Sequence, residues 1–200
     1  MMAKVCGLTC ATDVAMALDA GADLLGFLHH PDSPRHCPDL DLARACGDRA
    51  ALVAVAPSAE ALLTLARRAG AAWVQPYLPF AERVRAVAML RADGRRVLLP
   101  WPDEPGQEAT AADLYLWEAS PRATGLLGGS GQGHPMAHPP PGPFLLGGGL
   151  HGAVLAERLA RVPRRADCRG FDAASRLECA PGRKDPALVA AFVRNAHDLE

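Results

Sequence analysis

The sequence predicts an α/β fold: a compact single-domain (β/α)8 TIM barrel over residues 1–200, with a shortened or missing helix after the sixth strand. Three observations predict it. Eight short apolar, strand-like runs alternate with Ala-, Leu- and Arg-rich stretches of helical periodicity, the β/α alternation that builds parallel sheets. Spread over 200 residues, eight such units leave 25 residues each, so against the usual barrel of ~250 residues some helices must be short or absent. The shortage falls on residues 119–143, where 12 of 25 residues are Gly or Pro and PPPGP directly precedes the seventh strand. Proline there forbids a regular helix. An open doubly wound sheet competes for the same alternation, and eight units favour closure.

The elements follow in order. A strand over 4–7 leads to a helix over 11–20, ATDVAMALDA, with Thr12 as its expected cap. A strand over 23–28 precedes a helix over 39–46. The third strand, 51–56, precedes SAEALLTLARRA over 58–69, which Ser58 caps and in which Ala61, Leu62 and Leu65 share one face. The fourth strand, 72–75, is followed by a helix over 80–91. After the fifth strand, 96–99, the pattern weakens until a sixth over 114–118 and a seventh over 144–146. A helix over 152–161, an eighth strand over 167–172 and a helix over 186–196 complete the chain, with Asp185 and Pro186 at the N-cap and first helical positions.

Composition narrows the function classes. Half the residues are apolar, 22% are charged and the net charge is −1, which excludes a disordered chain and a protein steered to nucleic acid by overall charge. No apolar run reaches about 18 residues, and MMAKVCGLTC lacks the apolar core of a secretion signal, so a cytoplasmic location without membrane contact is expected. The six cysteines lack CxxC spacing and read as reduced thiols. The absence of Ile and the 19 Arg against two Lys read as codon bias rather than function.

In a barrel of this kind the active site lies at the carboxyl ends of the strands. Those ends are Cys6, Phe27 and Leu28, Gln75, Glu118, residues 147–149 and Asp172. Side chains alternate between the interior and the helix layer, so if Cys6 points inward Lys4 does too, while Val5 faces out. A thiol above a buried ammonium is expected to lose its proton more easily than a free one. The plainer reading of Cys6 is a small buried hydrophobe. On the sixth strand Leu114, Leu116 and Glu118 share the inward face, and Tyr115 and Trp117 face the helices. Two Gly segments, 128–131 and 147–149, follow strands six and seven, where free backbone N–H groups suit a phosphate. Neither matches a P-loop or a dinucleotide fingerprint.

The opening KVCGLTCATDVAMALDAGADLLGFLHHPDSPRH resembles the N-terminal signature of the phosphoribosylanthranilate isomerase family: K-x-C-G-[IL]-T, then D-x-x-x-A-x-x-x-G-A-D-x-[LIV]-G-F, then S-P-R. The similarity returns in GGSGQ (128–132), LLGGGL (145–150) and GFDAASRLECAPGRKDP (170–186), in family order across nearly the whole chain. The resemblance implies an Amadori rearrangement of N-(5-phosphoribosyl)anthranilate to 1-(2-carboxyphenylamino)-1-deoxyribulose 5-phosphate in tryptophan biosynthesis. It implies Cys6 as general base and Glu118 at the position of the general acid. It implies Arg35 on the anthranilate carboxylate, Asp172 on the sugar hydroxyls or behind the base, and Gly148, Gly149, Ala174 and Ser175 around the phosphate. No metal or organic cofactor is required, and a monomer or a homodimer is expected.

The sequence also departs from the family pattern. Glu118 stands where an Asp is usual, and the serine pair after strand eight reads Ala174-Ser175 with Arg176 for the following Gly. The Q-L-H-G of strand four reads Gln75-Pro76-Tyr77-Leu78, and the lysine usual in strand five aligns with Leu99. These departures keep a second reading open, a non-catalytic barrel homologue that binds a phosphorylated ligand or a partner protein. A phosphosugar isomerase of the histidine pathway is a third, which a cysteine in the base position opposes. The remaining candidates have plain readings. His134 and His138 have helical metal spacing, but Pro135 and the following prolines deny the helix. His29, His30 and His36 are loop histidines beside the expected substrate loop. Arg158, Arg161, Arg164, Arg165 and Arg169 lack the aromatic interleaving of an RNA site and form a solvated face. Trp73, Trp101 and Trp117 are packing residues.

Overall fold

Parallel strands with helical crossovers can satisfy every strand edge only by closing, and this chain closes. The structure, a computed structural model, describes residues 1–106, 110–119 and 131–199. Eight strands pair in sequence order and the last returns to the first: β1 (Met2–Cys6), β2 (Leu24–His29), β3 (Ala50–Val55), β4 (Trp73–Tyr77), β5 (Arg96–Pro102), β6 (Leu114–Glu118), β7 (Phe144–Leu146) and β8 (Cys168–Ala173). Every neighbouring pair is parallel, and the closing pair sets Lys4 opposite Asp172. The helices are α1 (Ala11–Asp19), α2 (Asp41–Ala45), α3 (Ala59–Ala69), α4 (Phe80–Ala92), α5 (Leu155–Ala160) and α6 (Pro186–His197).

Period-2 alternation divides the apolar residues into two clusters. Leu24, Ala51, Trp73, Leu98, Leu116 and Leu145 plug the barrel interior, while Val5, Phe27, Val97, Leu99, Tyr115 and Trp117 pack under the helices. The expected parity of strands one and six is therefore observed. Leu99 lies in the outer cluster, which corrects its alignment with a site lysine. With Leu98 inside, Pro100 is the next inward residue of β5, and it lines a cavity at the mouth.

Helix boundaries follow capping chemistry. Ser58 accepts from Ala61 N at 3.3 Å, and Asp185 accepts from Ala187 N and Leu188 N at 2.9 and 3.0 Å, with Pro186 in the first turn. Thr12 does not cap α1. The extended residue before that helix is Cys10, which makes no side-chain cap bond, so Thr12 lies inside the first turn. Helix α2 has only five residues, and α5 is entered through the 3-10 turn Gly152–Val154. A short hairpin that the sequence reading did not anticipate, β9 (Glu178–Ala180) and β10 (Arg183–Lys184), turns at Pro181-Gly182 between β8 and α6.

Residues 131–143 contain no helix, and residues 120–130 lie outside the described residues. A buried carboxylate holds the irregular segment. Asp103, just past β5, accepts from the amides of Ala137 and His138 at 3.1 and 2.7 Å and contacts His134 Nδ1 at 3.1 Å. These bonds hold the carboxyl of Asp103 below its ordinary pKa although burial works the other way. Trp101 adds a bond from its indole N–H to the His138 carbonyl at 2.9 Å. The two histidines thus flank one aspartate, and among the described residues no group of three His, Cys, Asp or Glu is arranged to hold a metal ion. No helix among the described residues is long and apolar enough to cross a membrane. Because hydrogen bonds to a charged group are worth ~1.5–3 kcal/mol each, Asp103→Ala is expected to lower the unfolding free energy in urea by at least ~2 kcal/mol. An effect below ~0.5 kcal/mol would show that the carboxylate is not what anchors the segment.

Candidate active site

The carboxyl ends of β1, β4, β6 and β8 bring Cys6, Gln75, Tyr77, Glu118 and Asp172 to one mouth. They line a central cavity of about 70 Å³ together with Arg35 and Ala174. A larger cavity of about 590 Å³ adjoins it, shares Tyr77 and Glu118, and is otherwise walled mainly by prolines, with Arg83 at its edge.

Lys4 stands below this mouth with no solvent exposure. Its ammonium donates to Asp172 Oδ1 at 2.5 Å and to Gln75 Oε1 at 2.9 Å. Burial alone would lower its pKa, but Asp172 and Cys6 outweigh that and hold it above its ordinary value. Cys6 occupies the next inward position, made available by Gly26 on β2: a Cβ there would fall 2.7 Å from the sulfur. The charge effect expected from sequence is present, because Lys4 pulls the thiol pKa down. Desolvation of the sulfur is larger, however, and the net shift is upward. The expectation of an easily ionised thiol is thus corrected: Cys6 rests as the thiol, and Lys4 limits how far its pKa climbs.

Glu118 ends β6 facing the cavity, with 8% exposure. Desolvation raises its pKa to about 7; Tyr77 and Lys4 oppose the rise and Asp172 adds to it. Tyr77 donates to Glu118 Oε1 at 2.7 Å and receives a bond from Gln75 Nε2 at 2.9 Å. A carboxyl that titrates near neutrality can both hold and release a proton, as a general acid must.

Arg35 reaches the cavity from the loop after β2. Its Nε and Nη2 donate to the two oxygens of Glu178, both at 2.8 Å, and Lys184 Nζ donates to the same carboxylate at 2.8 Å. Burial alone would raise the pKa of Glu178, but these two cations hold it down. The bidentate clasp fixes the guanidinium plane and leaves Nη1 without a partner among the described residues, free for a second anion.

On the other side of the mouth, Gly148 and Gly149 have left-handed φ values of 93° and 65°, and their amides have no partner among the described residues. Gly131 packs against Gly149 and Ser175, and Arg176 donates to the Gly131 carbonyl at 3.3 and 3.2 Å. The structure thus draws Gly148, Gly149, Ala174 and Ser175 to one sector, between the ends of β7 and β8. Residues 128–130 of the first Gly segment lie outside the described residues.

Sequence reasoning missed Tyr77, which was read only as a lost family residue, and the roles of Glu178 and Lys184. Parity could have found Tyr77, since it lies two residues beyond Gln75 on the same face. Nothing local in the sequence signals the clasp, which joins residues 143 apart.

The Glu118 carboxyl also links pH to stability. With a folded pKa of about 7, above its ordinary 4.5, its protonated form is favoured by folding. That contribution is complete below about 4.5 and is lost as pH rises through about 7. Glu118→Gln, which stays neutral, should match the parent in stability near pH 4 and exceed it by roughly 3 kcal/mol at pH 8.5. Urea unfolding at the two pH values checks this, and a difference that does not grow with pH would contradict it.

No protein-family model matches the chain. It is 38% identical over 211 residues to the N-(5'-phosphoribosyl)anthranilate isomerase of Azorhizobium caulinodans, covering 96% of this chain and 89% of that protein. The namesake from Rhodopseudomonas palustris is 34% identical over 214 residues, with 96% of each chain covered. Among solved structures, TrpF from Jonesia denitrificans superposes with a TM-score of 0.77 at 31% identity, covering 98% of this chain and 97% of its own. Phosphoribosyl anthranilate isomerase from Thermus thermophilus superposes with a TM-score of 0.78 at 26% identity over the full length of both. With near-complete coverage, a shared closed barrel and Cys6 and Glu118 at one mouth, the chain belongs to the phosphoribosylanthranilate isomerase family.

Proposed function

We propose that this chain catalyses the Amadori rearrangement of N-(5-phosphoribosyl)anthranilate to 1-(2-carboxyphenylamino)-1-deoxyribulose 5-phosphate. One observation carries the reading: Cys6, above a buried ammonium, and Glu118, with a pKa of about 7, face the same cavity. Glu118 gives its proton to the furanose ring oxygen as the bond from that oxygen to C1 breaks, and the anthranilate nitrogen supplies the electron pair that makes the iminium. Cys6, as thiolate, takes the proton from C2 to leave an enolamine, which tautomerises to the ketone. The reactive form, thiolate with neutral carboxyl, differs from the resting thiol by the thiol proton, and a pKa of about 7 keeps the neutral carboxyl populated near neutrality. Lys4 narrows that gap by favouring the thiolate.

Asp172, tied to Lys4, meets the sugar hydroxyls or supports the base. The unused Nη1 of Arg35 receives the aryl carboxylate, and the amides of Gly148 and Gly149 with the turn at Ala174 and Ser175 receive the phosphate. A cytoplasmic location accords with a biosynthetic role.

Loss of substrate fluorescence tests the reading. Cys6→Ala should lower kcat at least ~10²-fold with the fold intact, the typical contribution of a positioned base. Glu118→Gln should nearly abolish turnover, whereas Glu118→Asp should keep or raise it. Arg35→Ala should weaken binding of carboxylate-bearing analogues ~10- to 100-fold, the worth of a charge-assisted bond. No turnover in the parent or in Glu118→Asp would instead make the chain a binding homologue.

A further inference from the structure

Four side chains on three strands form a directional hydrogen-bond chain that ends on Glu118. Lys4 can only donate, so the atom of Gln75 facing it must be the amide oxygen. The Gln75 nitrogen is then the atom that faces Tyr77, and it donates to the phenol oxygen at 2.9 Å. With that oxygen accepting, the phenol hydrogen points at Glu118 Oε1, which lies 2.7 Å from the phenol oxygen. Burial and the neighbouring Glu118 hold the Tyr77 pKa well above its ordinary value, so the phenol keeps this hydrogen.

We propose that Tyr77 is the positioning residue for the general acid: by occupying Oε1 it leaves Oε2 of Glu118 as the oxygen that carries the transferable proton. The proposal rests on the function given above. Glu has one more rotatable bond than the Asp usual at this position, and the Tyr77 bond removes that freedom. A second consequence is energetic. A hydrogen bond to a carboxylate is stronger than one to a neutral carboxyl. The Tyr77 bond therefore tightens as Glu118 gives up its proton and favours the transition state over the ground state. The other charged or titratable groups facing Glu118 are Lys4 and Cys6 from β1, Arg35 from the loop after β2, Arg83 from α4 and Asp172 from β8. All of them remain when only the Tyr77 hydroxyl is removed.

The test is infrared titration of the Glu118 carboxyl, with Glu118→Gln as the spectral baseline, in the parent, in Tyr77→Phe and with 3-fluorotyrosine at position 77. Removing a hydrogen bond to a charged group should raise the Glu118 midpoint by about one to two pH units in Tyr77→Phe. Fluorotyrosine, a stronger donor of the same shape, should lower it. In turnover, Tyr77→Phe should reduce kcat about tenfold or more while KM stays within about threefold, with the pH-profile break of Glu118 displaced upward. A Tyr77→Phe midpoint within about 0.3 units of the parent overturns the proposal, as does a fluorotyrosine midpoint that fails to fall. If Tyr77→Phe does not fold, the fluorotyrosine protein decides alone. If the parent shows no turnover, the isomerase reading fails and with it the acid role, while the titration still decides whether Tyr77 controls Glu118.

Discussion

Lys4 brings a positive charge into a barrel interior that excludes water, and the mouth is arranged around the neighbours that answer it. Asp172 supplies the countercharge, Gln75 a neutral acceptor, and Cys6 a group whose ionised form the ammonium favours. Breaking such a pair by removing one partner leaves a lone buried charge and costs ~3–5 kcal/mol, so these residues depend on one another. The pairing also spans the β1–β8 seam at which the barrel closes, with Lys4 opposite Asp172 in the register. Closure and site geometry therefore rest on the same contact.

From Lys4 the order extends outward. Gln75 relays its orientation to Tyr77 and Tyr77 to Glu118, so a donor-only ammonium on β1 sets hydrogen positions on β6. A second cluster, Glu178 between Arg35 and Lys184, does the same for the loop after β2 by tying it to the hairpin before α6. The two clusters have different outcomes. In the second, two cations keep the carboxylate ionised. In the first, desolvation leads and both Cys6 and Glu118 hold their protons more tightly than in water.

Much of this was legible in the sequence because it depends on periodicity. Alternation on β1 and β6 placed Lys4, Cys6 and Glu118 inside and Trp117 outside, and the Ser58 and Asp185 caps follow from local bonds. Less visible were features made by contacts distant in sequence. Asp103 anchoring residues 134–138, the clasp on Arg35 and the Tyr77–Glu118 bond link segments between 31 and 143 residues apart. Three expectations failed for definable reasons. Thr12 missed its capping role because the extended residue is Cys10, and the Cys6 thiol rose in pKa because a charge effect was considered without the desolvation that opposes it. The motif alignment that set Leu99 against the family's lysine ignores the face a strand residue takes.

The influence of Lys4 on Cys6 limits how far burial raises the thiol pKa. It is tested most directly by the pH dependence of Cys6 alkylation, followed by mass spectrometry so that the other five cysteines are read separately. The comparison is between the parent and a Lys4→Met, Asp172→Asn double variant, which leaves no lone charge buried. With the larger influence, that of Lys4, removed, the Cys6 midpoint should rise by at least about one unit. A midpoint that stays put or falls would contradict the account.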